Sequence, residues 1–143
     1  MKIGLKIELK ESFDQAAQAH LAGLMDALTE TAFEAEAYAK IESAVDTGAQ
    51  RASVFVVTPT TSNYSQAASD AEALQPGVEI FPEPSKPAPR EVLVAVGVNY
   101  AYWNEVLGKP FLGPAMDRAF PSLEAKARKT VGSQLARVVK IKT

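Results

Sequence analysis

The sequence predicts an α+β fold: a small, mostly antiparallel sheet packed with a long N-terminal helix and a C-terminal helix, plus a long extended loop. Three observations predict it. Apolar residues recur every three or four positions across residues 13–45 and again across 123–139, as on one face of a helix. Two short runs rich in valine, 51–58 and 91–98, are typical of strands. Residues 59–90 are rich in proline. At 143 residues, the whole of 1–143 fits a single domain.

The chain starts with an alternating pattern that predicts a strand. Across residues 2–10 every second position is apolar, which gives a strand one buried face. Ser12 stands three residues before Gln15, a spacing typical of a capping box at a helix start. The helix of 13–45 is rich in alanine, so its buried stripe is narrow and permits close packing. Gly48 then follows, and we expect it to close this helix in the left-handed conformation.

Residues 59–90 form the least regular part of the sequence. They contain six of the nine prolines, and a loop of this length inside a compact domain is usually functional or disordered. We interpret them as an extended loop or arm that serves assembly, with a short strand at 78–81 and an extended run at 82–89. A plain surface loop is the alternative. The flanking runs, 51–58 and 91–98, are predicted to pair with each other.

The stretch 100–120 combines aromatic anchors, one acid and a rigid backbone, which is typical of docking rather than chemistry. Pro114 is predicted to open a C-terminal helix, because proline is favoured at the first helical position. Phe111 and Leu112 would form a hydrophobic hook in front of that helix. Helix is predicted again at 123–139, bent near its start by Pro121, and 138–142 is interpreted as an edge strand. The anchors of this stretch are Tyr100, Tyr102, Trp103, Glu105, Gly108 and Pro110.

The sequence offers little for catalysis. It has no cysteine, which excludes disulfides, thiol catalysis and cysteine-bound zinc, and its single histidine, His20, cannot make a histidine metal site. Neither a phosphate-binding glycine loop nor a nucleophile elbow is present. We therefore predict no catalytic, cofactor-binding or metal-binding residues. Without a signal-like or membrane-spanning apolar run, we expect a soluble protein made in the cytoplasm.

Charge is unevenly distributed along the chain. Residues 11–50 hold eight acids against one lysine, whereas 118–143 hold seven bases against one acid, although the formal net charge is only -2. These two segments would suit opposite sides of an interface between copies of the chain, because complementary potentials set the register. Two other interpretations stay open: two solvated helix faces, or a basic segment that faces DNA.

Asp46, Thr47 and Gly48 raise a second function. An apolar residue followed by Asp-Thr-Gly-Ala resembles the active-site turn of retroviral-type aspartic proteases, which are small and share two aspartates between subunits. That turn follows a strand in those enzymes. Here the preceding residues have helical periodicity, which argues against a protease.

Two motifs taken together resemble the tail-component family of tailed bacteriophages, which comprises tail-completion, head–tail joining and neck proteins. In that family a long helix runs into an Asp-Thr-Gly turn followed by a basic residue and a serine. A strand, an aromatic segment with an acid and a glycine, and a Pro-Phe-Leu-x-Pro sequence come later. The resemblance covers residues 33–131. The matching residues are Asp46, Thr47, Gly48, Arg51 and Ser53, then Tyr100, Ala101, Glu105, Gly108, Pro110, Phe111, Leu112 and Pro114.

The resemblance implies a structural virion protein, not an enzyme. Its expected partners are copies of itself in a ring, head-side connector or stopper proteins, tail terminator or tail tube proteins, and double-stranded DNA that passes through the lumen without sequence specificity. It would occupy the head–tail junction of the virion, and the host cytoplasm during assembly, without contact to a membrane. The chain departs from the family pattern in three places: Val106 and Leu107 separate the acid from the glycine, Lys109 replaces a threonine, and Gly113 replaces a basic residue.

Overall fold

A computed structural model describes residues 14–43 and 48–142. The predicted strand at 2–10 and the residues Asp46 and Thr47 lie outside these ranges. In chain order the helices are α1 (Asp14–Glu42), α2 (Ala49–Ala52), α3 (Tyr64–Leu74), α4 (Ala101–Val106), α5 (Leu112–Ala119) and α6 (Leu123–Lys142), with a 3-10 turn at Phe120–Ser122, and the strands are β1 (Val54–Val57) and β2 (Leu93–Val96). The predicted α+β class is confirmed.

α1 is the longest helix, and its buried face is made mainly of alanine. Ala27, Ala35 and Ala39 are fully buried, and the last two belong to the main core. Alanine has the highest helix propensity, so the residues that let α1 pack closely also favour its formation. Its observed bounds, Asp14–Glu42, agree with the predicted helix to within three residues at its C-terminal end.

At Gly23 the backbones of α1 and α6 come very close together. A Cβ atom added to Gly23 would lie 2.5 Å from the Cα atom of Val131 and 2.6 Å from its backbone nitrogen, closer than real Cβ atoms approach such atoms. The Thr130 hydroxyl donates a hydrogen bond to the Gly23 carbonyl at the same crossing. The two helices therefore pack with their backbones nearly in contact.

The sheet consists of two antiparallel strands, as predicted. β1 and β2 pair with Val54 opposite Val96 and Val57 opposite Leu93. Alternate residues of β1 face opposite sides: Val54 and Val56 join the main core against α1, while Phe55 and Val57 join a second cluster against α3. Both faces of β1 are thus buried, which explains its uninterrupted apolar sequence.

Helix α3 corrects the prediction that residues 59–90 form one continuous arm. Its buried residues, Ala67 and Ala71, pack towards the strands and α2. Asn63 secures its start, because the Asn63 side-chain oxygen accepts a 2.7 Å bond from the Val56 N–H. Deleting 62–86 would remove this packing, so such a deletion tests folding before it tests assembly.

Only the second half of the proline-rich region lacks regular secondary structure. Residues 81–88 contain neither helix nor strand. The short strand predicted at 78–81 is present as a single antiparallel bridge between Ile80 and Val98, flanked by a 2.7 Å bond from the Phe81 N–H to the Gly97 carbonyl. This bridge anchors the beginning of the extended run beside the end of β2.

The chain is entirely helical from Leu112 to Lys142. Pro114 is the third residue of α5, so the predicted helix starts two residues earlier than expected, and Pro121 lies in the 3-10 turn. The predicted edge strand at 138–142 is wrong, because these residues continue α6. Adding a residue to an existing helix needs no new nucleation, and this outweighs the strand preference of valine and isoleucine.

The acidic and basic segments meet within one chain. Lys126 of α6 forms an ion pair and hydrogen bond with Glu34 of α1. Arg118 of α5 lies 3.6 Å from a Glu42 oxygen and 4.2 Å above the centre of the Tyr38 ring. Part of the uneven charge therefore stabilises the monomer, and reversing Lys126 would disturb the fold as well as any interface.

Candidate assembly site

The two resembling motifs, which are far apart in sequence, meet at the end of the sheet. Ser53, at the end of the first motif, is fully buried and donates a 2.9 Å hydrogen bond to the Gln50 carbonyl. Its hydroxyl oxygen accepts a 3.3 Å bond from the Val98 N–H, and its carbonyl accepts a 2.9 Å bond from the Gly97 N–H. Ser53 thus connects the start of β1 to the end of β2, next to the second motif.

Gln50 and Asn104 provide a second connection. The Asn104 side-chain amide donates a 2.5 Å hydrogen bond to the Gln50 side-chain oxygen, and the Gln50 amide donates in turn to the Ser43 hydroxyl at 2.9 Å. Gln50 is buried, so these bonds satisfy polar groups that would otherwise be costly to bury. This chain of bonds joins the end of α1, α2 and α4.

Gly48 has φ +85°, as predicted, but it precedes the short helix α2 and does not close α1, which ends at Glu42. Arg51 is exposed on α2, with its side chain away from the core. Tyr100 and Ala101 begin the second motif. Ala101 is fully buried, and the Tyr100 hydroxyl lies 3.4 Å from the Gln75 side-chain oxygen.

We expect Gly48→Val to lower the free energy of unfolding by about 1 kcal/mol or more, because β-branched residues tolerate the left-handed conformation poorly. Chemical denaturation of the purified protein measures this loss. Gly48→Asn is the matched control, since asparagine visits that conformation more readily and should recover more than half of the stability. An unchanged midpoint for Gly48→Val would contradict this account of the turn.

Glu105 caps α5 from a position well outside that helix. One of its carboxylate oxygens accepts bonds from the N–H groups of Phe111 (2.8 Å) and Leu112 (3.0 Å), and the other accepts from Gly113 (2.8 Å). The N–H groups of a first helical turn lack partners within the helix, and negative charge is favoured there. Gly108, with φ +99°, lets the chain turn back between the acid and the helix that it caps.

The hydrogen bonds also set the charge of Glu105. Partial burial acts to raise the pKa of this carboxyl, but the bonds from Phe111, Gly113 and Leu112 outweigh it and hold the pKa below its usual value. Glu105 is therefore ionised at neutral pH. Its role is to hold α4, the intervening loop and α5 in a fixed arrangement.

Glu105→Gln should lower the free energy of unfolding at pH 7 by about 1–2 kcal/mol, the usual size of a helix-cap loss. A lowered pKa contributes stability that is fully present above the unfolded-state pKa and is lost as pH falls through the folded-state pKa. The difference in free energy of unfolding between wild type and Glu105→Gln should therefore narrow below about pH 4.5. Melting curves from pH 7 to pH 3 measure it, with exposed Asp117→Asn in α5 as the control. A gap that is constant with pH would show that the carboxylate charge is not responsible.

Phe111, Leu112, Pro110 and Pro114 complete the second motif. Phe111 is fully buried in the main core and Leu112 packs against that core, so the predicted hydrophobic hook is present. Pro110 and Pro114 are exposed on either side of it. The motif thus has a buried anchor and an exposed rim.

Exposed apolar side chains are concentrated on α4 and the turn that follows. Tyr102, Trp103, Val106 and Leu107 are 59%, 60%, 57% and 73% exposed. The Tyr102 and Trp103 rings contact each other edge to face, with their centres 5.2 Å apart. We call these four residues the aromatic patch. Residues separated by three or four positions share one side of a helix, so the patch is continuous.

Sequence reasoning missed Gln50, Asn104 and Asn63 as connecting residues, because amides carry no local signal for a contact many residues away. It also missed the capping role of Glu105, whose spacing from α5 differs from that of a capping box. Within residues 14–43 and 48–142 no group of acids and histidine is arranged to hold a metal ion. None of the helices described here is both long and apolar enough to cross a membrane.

Comparison with known proteins found no relative: no family model, no curated protein and no solved structure matches the chain.

Proposed function

We propose that this protein is a structural virion protein of a tailed bacteriophage, forming a ring at the head–tail junction that joins the connector to the tail and lets DNA pass. The observation that carries the proposal is the meeting of the two motifs. Ser53 and Gln50 from the first motif bond to Val98 and Asn104 around the second. Two segments that resemble one family in sequence order therefore also form one structural unit.

The division of roles within that unit supports assembly rather than catalysis. Its polar members, Ser53, Gln50 and Glu105, are occupied in holding backbone and side chains of the same chain. Its exposed members include the four apolar and aromatic side chains of the aromatic patch, and aromatic residues are enriched in the buried centres of protein interfaces. A rigid unit that presents an apolar surface is suited to bind a neighbouring subunit.

The proposed partners are those that the resemblance implies: further copies of this chain, connector or stopper proteins on the head side, and terminator or tube proteins on the tail side. DNA would pass through the lumen without sequence-specific contacts. The intrachain pairs of Glu34 with Lys126 and Glu42 with Arg118 reduce the number of charges left for an interface or for the lumen.

The aspartic protease is the second candidate, because of the Asp46-Thr47-Gly48 sequence. One observation weighs against it: helix α1, not a strand, precedes this turn, and helix α2 follows Gly48. Cleavage of a test peptide that pepstatin inhibits and that Asp46→Asn abolishes would favour the protease and contradict the virion proposal.

The direct test of the proposed function has two parts. Electron microscopy of the purified protein, over a range of concentrations, should reveal closed rings of uniform diameter. Inactivating the gene in a phage that carries it should leave DNA-filled heads and separate tails, which the protein supplied in trans should join. Complete, infectious particles without the protein would contradict the proposal.

A further inference from the structure

We propose that the aromatic patch of one subunit binds the proline-rich segment 82–89 of a neighbouring copy, and that this contact links subunits in the ring. The inference rests on the proposed function for the ring, but the contact itself can be tested separately. It names a binding surface, its occupant and the chemistry between them.

The aromatic patch has the size and composition of an interface centre. Its four side chains leave on the order of 400 Å² uncovered, about half of the ~800 Å² that one partner buries in a standard interface. An apolar patch of this size is comparable to the largest one on a typical soluble monomer, and such patches are often functional. The Glu105 cap and the bond from Asn104 to Gln50 hold α4 in place, so the patch is presented on a rigid base.

The proline segment has the properties of a ligand for such a patch. Residues 82–89 include Pro82, Pro84, Pro87 and Pro89 and contain no helix or strand up to Ala88. Proline fixes its own φ, so an extended run of this kind loses little entropy when it binds. Proline-rich segments are bound by exposed aromatic side chains in several recognition domains for this reason.

The outward side of the segment fits the two rings. Pro82, Lys86 and Pro89 are exposed, whereas Pro84 and Pro87 are half-buried. Flat proline rings pack on aromatic faces, and a lysine ammonium is attracted to the face of tryptophan more strongly than to tyrosine or phenylalanine. Lys86 would lie over Trp103, and the flanking prolines Pro82 and Pro89 would contact the edges of the patch.

A second copy is the occupant because one chain carries both surfaces and leaves both uncovered. The beginning of the segment is held beside β2 by the bond from Phe81 to Gly97, and Glu83 accepts a 2.9 Å bond from the Ser62 hydroxyl. Two different surfaces of one chain that bind each other form a heterologous contact. Such contacts build rings when the rotation between subunits closes.

The experiment uses two full-length variants that each lack one half of the contact. In the patch variant, Tyr102→Ser and Trp103→Ser remove the rings. In the segment variant, Pro82→Ala, Lys86→Ala and Pro89→Ala remove the ligand. All five positions are exposed, so both variants should fold, and circular dichroism melting checks this. Pro76→Ala with Lys129→Ala is the matched control, because it removes one exposed proline and one exposed lysine elsewhere.

We expect each variant alone to self-associate at least ~30-fold more weakly than wild type, since the patch would supply the interface hot spot. Mixed at equal concentration, the two variants keep one intact contact and should form a heterodimer that grows no further. Trp103 is the single tryptophan of the chain, so in the mixture only the segment variant has tryptophan fluorescence. Its emission should shift to shorter wavelength when the patch variant is added.

Each remaining outcome either contradicts the contact or shows that the contact and the ring proposal are independent. Rings from both variants would overturn the contact and leave the ring proposal standing. A segment variant that still dimerises alone would indicate that two patches bind each other. Variants that neither associate alone nor together, without a shift in emission, would overturn the proposal. A heterodimer formed by a protein whose wild type never closes into rings would support the contact and contradict the proposed function.

Discussion

Phe111→Ala should lower the free energy of unfolding by about 3–5 kcal/mol, the usual loss when a buried phenylalanine is truncated. Phe111 is fully buried and stands immediately before α5, where its N–H also donates to Glu105. The backbone bond survives the substitution, so the loss should come from the vacated volume. Urea denaturation measures it, and a fall in melting temperature of about 10 °C should accompany it.

Phe81→Ala is the matched control for this prediction. The Phe81 side chain is 50% exposed, so its truncation should cost under about 1.5 kcal/mol. If the two variants lose equal stability, Phe111 does not anchor α5 to the core. If Phe111→Ala loses the expected stability but the protein that stays folded still forms rings, Phe111 anchors the fold and is not part of the assembly surface.

Gly23→Ala should destabilise the protein by about 1–3 kcal/mol, although alanine favours a helix by about 1 kcal/mol over glycine. The added methyl group would lie 2.5 Å from the Val131 Cα atom, and backbone atoms cannot rotate away as a side chain can. The two helices must therefore move apart, which weakens the bond from Thr130 to the Gly23 carbonyl. Thermal unfolding followed by circular dichroism measures the change.

Gly132→Ala is the control for the same pair of helices. Gly132 lies one residue beyond Val131 on α6, and a Cβ atom there would meet no neighbour within 4 Å. Alanine at this position should raise stability by up to about 1 kcal/mol. Opposite signs for the two substitutions would confirm the close crossing, and a gain at Gly23 would contradict it.

The sequence predicted those parts of the fold that have strong local periodicity. α1 and the pairing of β1 with β2 followed from apolar spacing. The left-handed conformation of Gly48 was predicted correctly, but its place was not, because Gly48 stands before α2 and does not close α1. α3 was missed because only two small residues, Ala67 and Ala71, form its buried face, and they leave no apolar stripe to detect. The predicted edge strand at 138–142 was wrong, because these residues continue α6 despite their local preference for a strand.

The candidate site was predicted as a set of residues but not as an arrangement. Phe111 was predicted as part of a hydrophobic hook, and the structure buries it fully. The link from Asn104 to Gln50 spans 54 positions in sequence, and only the tertiary fold brings these amides together. The cap by Glu105 depends on the turn at Gly108, which no helix-start pattern includes.

The pairing of α1 with α6 has a consequence for how the protein is made. Among the described elements α1 leaves the ribosome first and α6 last, and the bond between Thr130 and Gly23 joins residues 107 positions apart. The side of α1 that carries Gly23 therefore stays without its α6 partner until α6 has been synthesised. Contacts of such high sequence separation slow folding, because a long loop must be closed before they form. A nascent chain stopped before residue 123 would expose this face. Chaperones that bind apolar helices would be expected to bind it until α6 is synthesised.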